Sequence, residues 1–188
     1  MIDGFKEIIT ACGKMLLKLS EDDKAQGFWQ AEQFKAKADM LAHHFLIKSF
    51  KSQFNLPIIS EEDDERYGFD SKEYIIIDPI DGTASFSHGF SGWVTQAALI
   101  KNQKPVISVV FAPAFNDLFW AERGKGSFCN GKRLVLKQTV NHQIISIIDN
   151  YPAPQGITKK VVEHFKIPQY HESGSLGLKI CRVATGSA

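Results

Sequence analysis

Two aspartates three positions apart, Asp78 and Asp81, follow an unbroken apolar stretch of the sequence. A carboxylate at the end of such a stretch is costly to bury unless it is paired or binds a cation. Pro79 fixes one backbone torsion, and Gly82 tolerates conformations that are closed to other residues. We therefore expect a rigid turn that points both carboxylates into one space and leaves the Ile80 carbonyl available as an oxygen ligand.

A third carboxylate, Glu61, ends a short extended run and is expected beside Asp78 on a neighbouring strand. Carboxylates and a carbonyl form the all-oxygen ligand set that hard divalent cations prefer, Mg²⁺ in particular. Two such ions can clamp a phosphoryl group from both sides. The backbone N–H groups of Gly82 and Thr83 offer a cradle for phosphate oxygens. The residues thus predict a Mg²⁺ and phosphate site.

Several short motifs occur in a fixed order along the chain. They are K-A-D at 37–39, S-E-E at 60–62, D-P-I-D-G-T at 78–83, G-S-F-C-N-G at 126–131 and G-S-L at 174–176. In this order they resemble the signatures of the inositol monophosphatase family, and the resemblance covers nearly the whole chain. It implies a lithium-sensitive phosphatase that hydrolyses a small phosphate monoester such as inositol monophosphate, and dimers are usual among such proteins.

The same resemblance implies roles for individual residues. The expected ligands of two or more Mg²⁺ ions, with Mn²⁺ as a substitute, are Glu61, Asp78, the Ile80 carbonyl and Asp81. The expected catalytic pair is Thr83 hydrogen-bonded to Asp39, which orients the attacking water and helps to remove its proton. The expected substrate-binding residues are Asp81, Gly82, Thr83, Gly174, Ser175 and Leu176.

Some positions depart from the family pattern. Ser60 replaces a glycine, as it does in the 3′(2′),5′-bisphosphate nucleotidase branch, so 3′-phosphoadenosine 5′-phosphate is an alternative substrate. Ser85 replaces a common asparagine. No tryptophan of this chain is followed by Asp, although the family has a W-D-x-A-A-G segment whose aspartate holds the second metal. These observations predict a C-terminally shortened member, and an inactive remnant that binds metal or a partner is a further alternative.

Simpler interpretations stay open at each position. Asp and Gly are common in turns, and acidic runs such as the one containing Glu61 are usually solvated. Asp39, Thr83 and Ser175 stand where helix N-caps would stand.

The composition limits the classes of binding partner and the cellular location that we expect. Among 188 residues, 22 are basic and 21 acidic, so no basic face indicates a nucleic-acid polymer as a partner. Three distant cysteines fit a reducing compartment rather than a disulfide framework. No signal peptide or membrane-length apolar run is found, so we expect a cytoplasmic location without membrane attachment.

Periodicity predicts the elements that position these residues. Amphipathic helices are expected at 2–19 and from 39 to 54, separated by a polar break at 20–24. A short extended run is expected at 56–59, and strands are expected at 74–77, 93–100, 106–111 and 118–122, with the strand at 74–77 buried on both faces. Asn130-Gly131 predicts a hairpin. Strands at 144–149 and 169–172 and helices at 158–165 and 176–185 follow.

The predicted fold is an α+β to α/β layered sandwich of the sugar-phosphatase type, αβαβα. Residues 1–137 form an N-terminal metal- and phosphate-binding domain in which helices pack on a largely antiparallel sheet. Residues 138–188 begin an incomplete α/β half.

Overall fold

A computed structural model describes residues 1–25, 31–63, 71–135 and 146–187. The helices are α1 (Ile2–Ala25), α2 (Ala31–Gln53), α3 (Thr83–Ser87), α4 (Gly156–Phe165) and α5 (Leu176–Thr185). The strands are β1 (Ile58–Ser60), β2 (Glu73–Asp81), β3 (Val94–Lys101), β4 (Lys104–Ala112), β5 (Asp117–Glu122), β6 (Gly126–Cys129), β7 (Lys132–Arg133), β8 (Ser146–Asp149) and β9 (Gln169–Glu172).

The first seven strands form one sheet in chain order. β1 runs parallel to β2, and each later neighbouring pair is antiparallel, which confirms the expected largely antiparallel sheet. The predicted hairpin is also confirmed. Asn130 and Gly131, between β6 and β7, both have positive φ, 49° and 78°. Two-residue hairpin turns with this geometry favour Asn-Gly because other side chains rarely adopt it.

One face of this sheet is covered by α1 and α2. α1 packs on β3, β4 and β5, and α2 packs on β1, β2 and α3. The core between the layers is apolar, and its fully buried aromatic side chains are Phe5, Phe50, Phe86 and Phe111. Burial of these rings, together with the aliphatic side chains around them, stabilises the packing of the helices on the sheet.

Both N-terminal helices are longer than predicted. α1 continues through the expected polar break to Ala25, and α2 begins at Ala31, so the predicted boundaries at 19 and 39 were wrong. The residues concerned include no Gly or Pro, and Ala, Glu, Gln and Lys favour helix without any apolar period. Asp39 therefore lies inside α2, and its interpretation as an N-cap was wrong.

The unbroken apolar sequence of β2 predicted burial on both faces, and this prediction was wrong. Ile75 and Ile77 are fully buried under the helices, whereas Ile76 between them is 38% exposed. Successive side chains of a strand point to opposite faces, and α1 and α2 cover only one of those faces.

The C-terminal part is an α/β unit. β8 and β9 pair in parallel, with α4 as the crossover between them, as parallel strands require. α5 then packs on β4 through Leu178, which is buried with Val94, Ala112 and Phe119. The expected layered α/β arrangement is confirmed, and the bounds of β9 and α5 match the prediction.

The predicted division at residues 137 and 138 falls outside the described ranges and stays a prediction, as do residues 144–145 of the predicted strand. Within the described residues, no helix combines the length and apolarity that crossing a membrane would need.

Candidate metal and phosphate site

A bulge in β2 brings Asp78 and Asp81 to the same side of the sheet. Asp78 pairs with Gln96, and Asp81 pairs with Val94. The two paired positions are therefore three residues apart on β2 but only two apart on β3. Gln96 and Val94 lie two apart on β3 and therefore share a face, and so do the two aspartates opposite them. Without the bulge, residues three apart on a strand would point to opposite faces. The bulge re-aims the second carboxylate.

Pro79 explains the position of the bulge. Proline has no N–H to give to the ladder, and inside sheets it is confined to edges and bulges. The expected turn after residue 77 is thus a bulge within β2, which continues to Asp81. Its consequence is the predicted one, because both carboxylates point into one space.

Glu61 lies beside Asp78, as predicted. β1 pairs with β2 in parallel with Ser60 opposite Ile77, and the Glu61 N–H donates to the Ile77 carbonyl at 3.2 Å. The two carboxylates therefore follow the same step of neighbouring parallel strands. The Glu61 side chain is close enough to Asp78 to affect its ionisation.

Asp78 occupies an unfavourable environment for a negative charge. The pKa of Asp78 is raised to about 7, mainly by burial and also by the neighbouring Glu61 and Asp81 carboxylates, whereas the Gln96 hydrogen bond opposes the rise. Gln96 Nε2 donates to Asp78 Oδ2 at 3.0 Å. Asp78 Oδ1 is buried and, among the described residues, has no hydrogen-bond partner.

This environment fits a divalent cation. A buried carboxylate oxygen without a donor, next to a second carboxylate, leaves negative charge for a cation to compensate. Within the described ranges, no three Asp, Glu, His or Cys side chains converge into a complete ion cage. Mg²⁺ does not require one, because it is usually bound through one or two carboxylates and keeps several waters. Glu61 and Asp78, with the Ile80 carbonyl, could hold it.

Asp81 is engaged by α5. Its Oδ2 accepts hydrogen bonds from Ser175 Oγ at 2.6 Å and from the Gly177 N–H at 2.9 Å. Ser175 Oγ also accepts from the Leu178 N–H at 2.8 Å, which makes Ser175 the N-cap of α5, as one open interpretation had it. The first turn of α5 thus fixes the Asp81 carboxylate through its Oδ2.

The turn after Asp81 has the backbone geometry that the motif predicts. Gly82 has φ +91° and precedes α3 as its N-cap, whereas Thr83 is the first residue of that helix. A Cβ at Gly82 would lie 2.8 Å from the Ser175 nitrogen and 3.0 Å from the Gly92 oxygen. Glycine is therefore needed both for the conformation and for the close approach of the 174–175 segment.

Other predicted residues are distributed around this turn. Asp39, 8% exposed, lies on α2, and α2 packs on α3, which begins with Thr83. The Thr83–Asp39 hydrogen bond stays a prediction. The Gly174 N–H donates to Ser85 Oγ at 2.9 Å, and Leu176 is 65% exposed. The structure thus brings the segment 174–177 against the turn at 81–85.

Two contributors were missed in the sequence. Gln96 binds Asp78 across the sheet, and its only signal is an amide in a largely apolar strand that also contains Thr95 and Lys101. Glu172 binds the Gly92 N–H at 3.0 Å and also contacts Ser85, and no local pattern marks it.

Ser60, the departure from the family glycine, has a structural partner. Its buried Oγ lies 2.9 Å from His43 Nδ1 of α2 and accepts from the Glu62 N–H at 3.3 Å. The serine hydroxyl therefore joins α2 to the turn that carries Glu61.

Comparison with known proteins places this geometry in context. The model of the inositol monophosphatase family matches residues 3–188. The chain is 35% identical over 123 residues to inositol monophosphatase 2 of Solanum lycopersicum, and this alignment covers 59% of the chain and 44% of that protein. It is 31% identical over 151 residues to inositol monophosphatase of Dictyostelium discoideum, which covers 78% of the chain and 54% of that protein. The chain thus spans about half the length of these relatives.

Solved structures share the fold. CysQ from Bacteroides thetaiotaomicron, titled a bacterial member of the inositol monophosphatase family, aligns with a TM-score of 0.75 at 22% identity. The alignment covers 100% of this chain and 77% of that one. At this level of identity the likeness supports the fold.

Proposed function

The chain belongs to the inositol monophosphatase family, and from this premise we propose that it is a Mg²⁺-dependent phosphatase acting on a small phosphate monoester such as inositol monophosphate. The observation that carries the proposal is the Asp78 carboxylate. It is partly buried, lies beside Glu61, and has one buried oxygen, Oδ1, for which the described residues supply no donor. Such an oxygen is typical of a metal ligand.

The ion-binding residues of the proposal are Glu61, Asp78 and the Ile80 carbonyl, with Asp78 and Asp81 serving a second ion. Bound Mg²⁺, or Mn²⁺ in its place, would supply a water of lowered pKa and neutralise charge on the phosphoryl group. Gln96 orients Asp78 by binding its Oδ2, which directs Oδ1 toward the ion site. Ser175 and Gly177 orient Asp81 in the same manner.

The substrate-positioning residues lie on the turn and on the α5 end. Gly82 and Thr83 offer backbone N–H groups to the phosphate, because the first N–H groups of a helix have no partner within the helix. The segment Gly174, Ser175 and Leu176 is placed beside the alcohol portion in this proposal, and Leu176 is its exposed member. Ser175 is fully buried, with its hydroxyl bound to Asp81 and the Leu178 N–H and its own N–H bound to the Gly92 carbonyl, so its role is to position this segment.

Thr83 and Asp39 are the proposed catalytic pair. Thr83 lies next to the turn, and Asp39 lies on the helix that packs against α3. In the proposal, the Thr83 hydroxyl orients the attacking water and passes a proton toward the Asp39 carboxylate. In-line attack forms the new P–O bond as the P–O bond to the alcohol breaks, and the leaving alkoxide takes up a proton from solvent. The turn holds the phosphate at a fixed distance for this step.

The first test measures phosphate release with and without Mg²⁺ for the wild type, Asp78→Asn and Glu61→Gln. Both substitutions keep side-chain size and remove a charge, and we expect each to lower kcat/KM by at least about 100-fold. Glu62→Gln is the matched control, because Glu62 is exposed and adjacent. Wild-type activity in Asp78→Asn or Glu61→Gln would rule out the assigned ligand roles.

A substrate panel separates the alternatives. It compares myo-inositol 1-phosphate, 3′-phosphoadenosine 5′-phosphate and fructose 1,6-bisphosphate, with Mg²⁺ and with added Li⁺. The proposal predicts preferred turnover of the inositol phosphate and inhibition by Li⁺. Preference for the nucleotide would instead identify a bisphosphate nucleotidase. Calorimetric Mg²⁺ binding without turnover of any compound would identify a metal-binding remnant.

A further inference from the structure

The helix that follows the proposed phosphate turn is too short to hold itself in place. α3 has five residues and no side-chain N-cap. Its backbone bonds, from Phe86 N to Gly82 O and from His88 N to Ala84 O, span little more than one turn. Helices of this length are unstable without outside contacts. The position of the Gly82–Thr83 turn therefore depends on what binds α3 and the loop behind it.

Glu172, the last residue of β9, binds both α3 and the loop behind it. Ser85 Oγ, in α3, donates to Glu172 Oε1, and the Gly92 N–H, behind α3, donates to Glu172 Oε2 at 3.0 Å. Ser85 is 2% exposed, and its hydroxyl accepts from the Gly174 N–H at 2.9 Å. One carboxylate thus joins α3 to the loop that ends it.

The chain after Glu172 continues along the same loop. The Gly92 carbonyl accepts from the Ser175 N–H at 3.0 Å and from Ser173 Oγ at 3.2 Å. A Cβ at Gly92 would lie 2.3 Å from Ser173 Cα, so the two backbones are in direct contact. Both serines are fully buried. The contact is buried and hydrogen-bonded, as a rigid support requires.

We propose that Glu172 is a positioning residue for the phosphate turn. Its carboxylate holds α3 and the loop at Gly92 together, and thereby fixes the Gly82 and Thr83 N–H groups relative to α5. The inference rests on the proposed function, since phosphate is taken as the ligand of that turn. Glu172 does not itself bind phosphate, because its negative charge repels the anion and its oxygens accept from Ser85 and Gly92.

Three substitutions test this role. Glu172→Ala removes the carboxylate. Ser85→Ala removes one of the groups that it binds, and Glu172→Gln keeps the size with one acceptor oxygen and one amide donor, which Ser85 Oγ can accept. Glu163→Ala is the control, because the Glu163 side chain on α4 is 64% exposed. The readouts are amide hydrogen exchange over residues 82–92, inorganic phosphate affinity in the presence of Mg²⁺, and Mg²⁺ affinity alone.

We expect Glu172→Ala and Ser85→Ala to speed exchange over residues 82–92 and to weaken phosphate binding by about tenfold. Mg²⁺ affinity should stay within about twofold of the wild type, because Glu172 contacts neither Glu61 nor Asp78 in the described hydrogen bonds. Glu172→Gln should recover most of the phosphate affinity. A purely structural role would lower the melting temperature and leave the phosphate affinity of the folded protein unchanged.

Wild-type phosphate affinity and exchange in folded Glu172→Ala would overturn the inference. If Glu172→Ala does not fold, unchanged phosphate affinity in Ser85→Ala overturns it equally. Absence of Mg²⁺-dependent phosphate release from the wild type counts against the proposed function alone, because the exchange and binding comparisons need no turnover.

Discussion

Gln96 donates a 3.0 Å hydrogen bond to Asp78 and is its direct cross-strand partner in the sheet. This contact opposes the burial and the neighbouring carboxylates that raise the pKa of Asp78 to about 7. The amide therefore has two effects: it orients the carboxylate, and it favours the ionised form that a cation requires.

Replacing Gln96 by Leu should weaken Mg²⁺ binding near neutral pH. Loss of the donor raises the pKa of Asp78 further, so the Asp78 carboxylate is protonated in a larger fraction of molecules at pH 7. We therefore expect a Mg²⁺ affinity about three- to tenfold lower. Calorimetric titration at pH 8.5 should recover most of the loss. Gln169→Leu, at an exposed position, is the control. A loss of equal size at both pH values would contradict the electrostatic explanation.

Mg²⁺ binding by the wild type should depend on pH. Asp78 must lose its proton before it can bind the ion, and its pKa is raised to about 7. Below that value, affinity should fall by about tenfold per pH unit. Titration calorimetry from pH 5.5 to 8.5, in buffers of different ionisation enthalpy, should show release of about one proton near pH 6. An affinity independent of pH over this range would show that Asp78 is not a ligand.

The metal-free protein should lose stability as the pH rises from about 4 to about 7. Asp78 has a pKa of 3.8 when unperturbed and about 7 in the folded state. Over that interval the folded protein binds more protons than the unfolded one, so raising the pH favours unfolding. Asp78→Asn removes the charge and should raise the melting temperature of the metal-free protein at pH 8 by about 2–4 °C.

The same substitution should abolish stabilisation by added Mg²⁺, which raises the melting temperature of the wild type through preferential binding to the folded state. Asp22→Asn, at an exposed position of α1, is the matched control and should change neither quantity. Thermal unfolding with and without Mg²⁺ checks both statements. A destabilised metal-free Asp78→Asn would mean that the carboxylate stabilises the fold rather than straining it.

Gly82→Ala should be more destabilising than a conformational preference alone explains. Gly82 and Gly124 both have positive φ, +91° and +80°, but a Cβ at Gly82 would lie 2.8 Å from the Ser175 nitrogen, whereas the space around Gly124 is open. We expect a loss of about 1 kcal/mol for Gly124→Ala and about 2–4 kcal/mol for Gly82→Ala. Chemical denaturation measures both, and equal losses would show that α5 does not approach the turn.

Ser60→Gly tests whether Ser60, which replaces the family glycine, contributes to substrate selection. Because the buried Ser60 hydroxyl lies 2.9 Å from His43, we expect a stability loss on the order of 1 kcal/mol. The ratio of kcat/KM for myo-inositol 1-phosphate and 3′-phosphoadenosine 5′-phosphate should not change. A shift of that ratio by tenfold or more would assign Ser60 to substrate selection.

The local signals in the chain were sufficient for several features. Asn130-Gly131 predicted the hairpin because few other residues adopt two consecutive positive φ angles. The order of the motifs predicted the family, and the acidic ends of two apolar runs predicted that Glu61 and Asp78 would meet. These features depend on backbone preferences and on the pairing of neighbouring strands, which act over short distances.

Other features were not marked by apolar periodicity, and most of them depended on packing between distant segments. The absence of breakers, rather than an apolar period, extended α1 and α2 beyond their predicted ends and placed Asp39 inside a helix. One-sided coverage by those helices left Ile76 exposed although its neighbours are buried. Gln96 was unmarked because its role arises from the register between β2 and β3.

Residue types and spacing thus decided which groups this protein brings to its site: acidic side chains, a proline that cannot join a ladder, and a glycine that can adopt positive φ. Their orientation was decided by the folded sheet and by α5, since a bulge sets the face of Asp81 and Ser175 binds one of its oxygens from 94 positions away. Contacts across such separations leave no local pattern, because they form only when the intervening chain has packed.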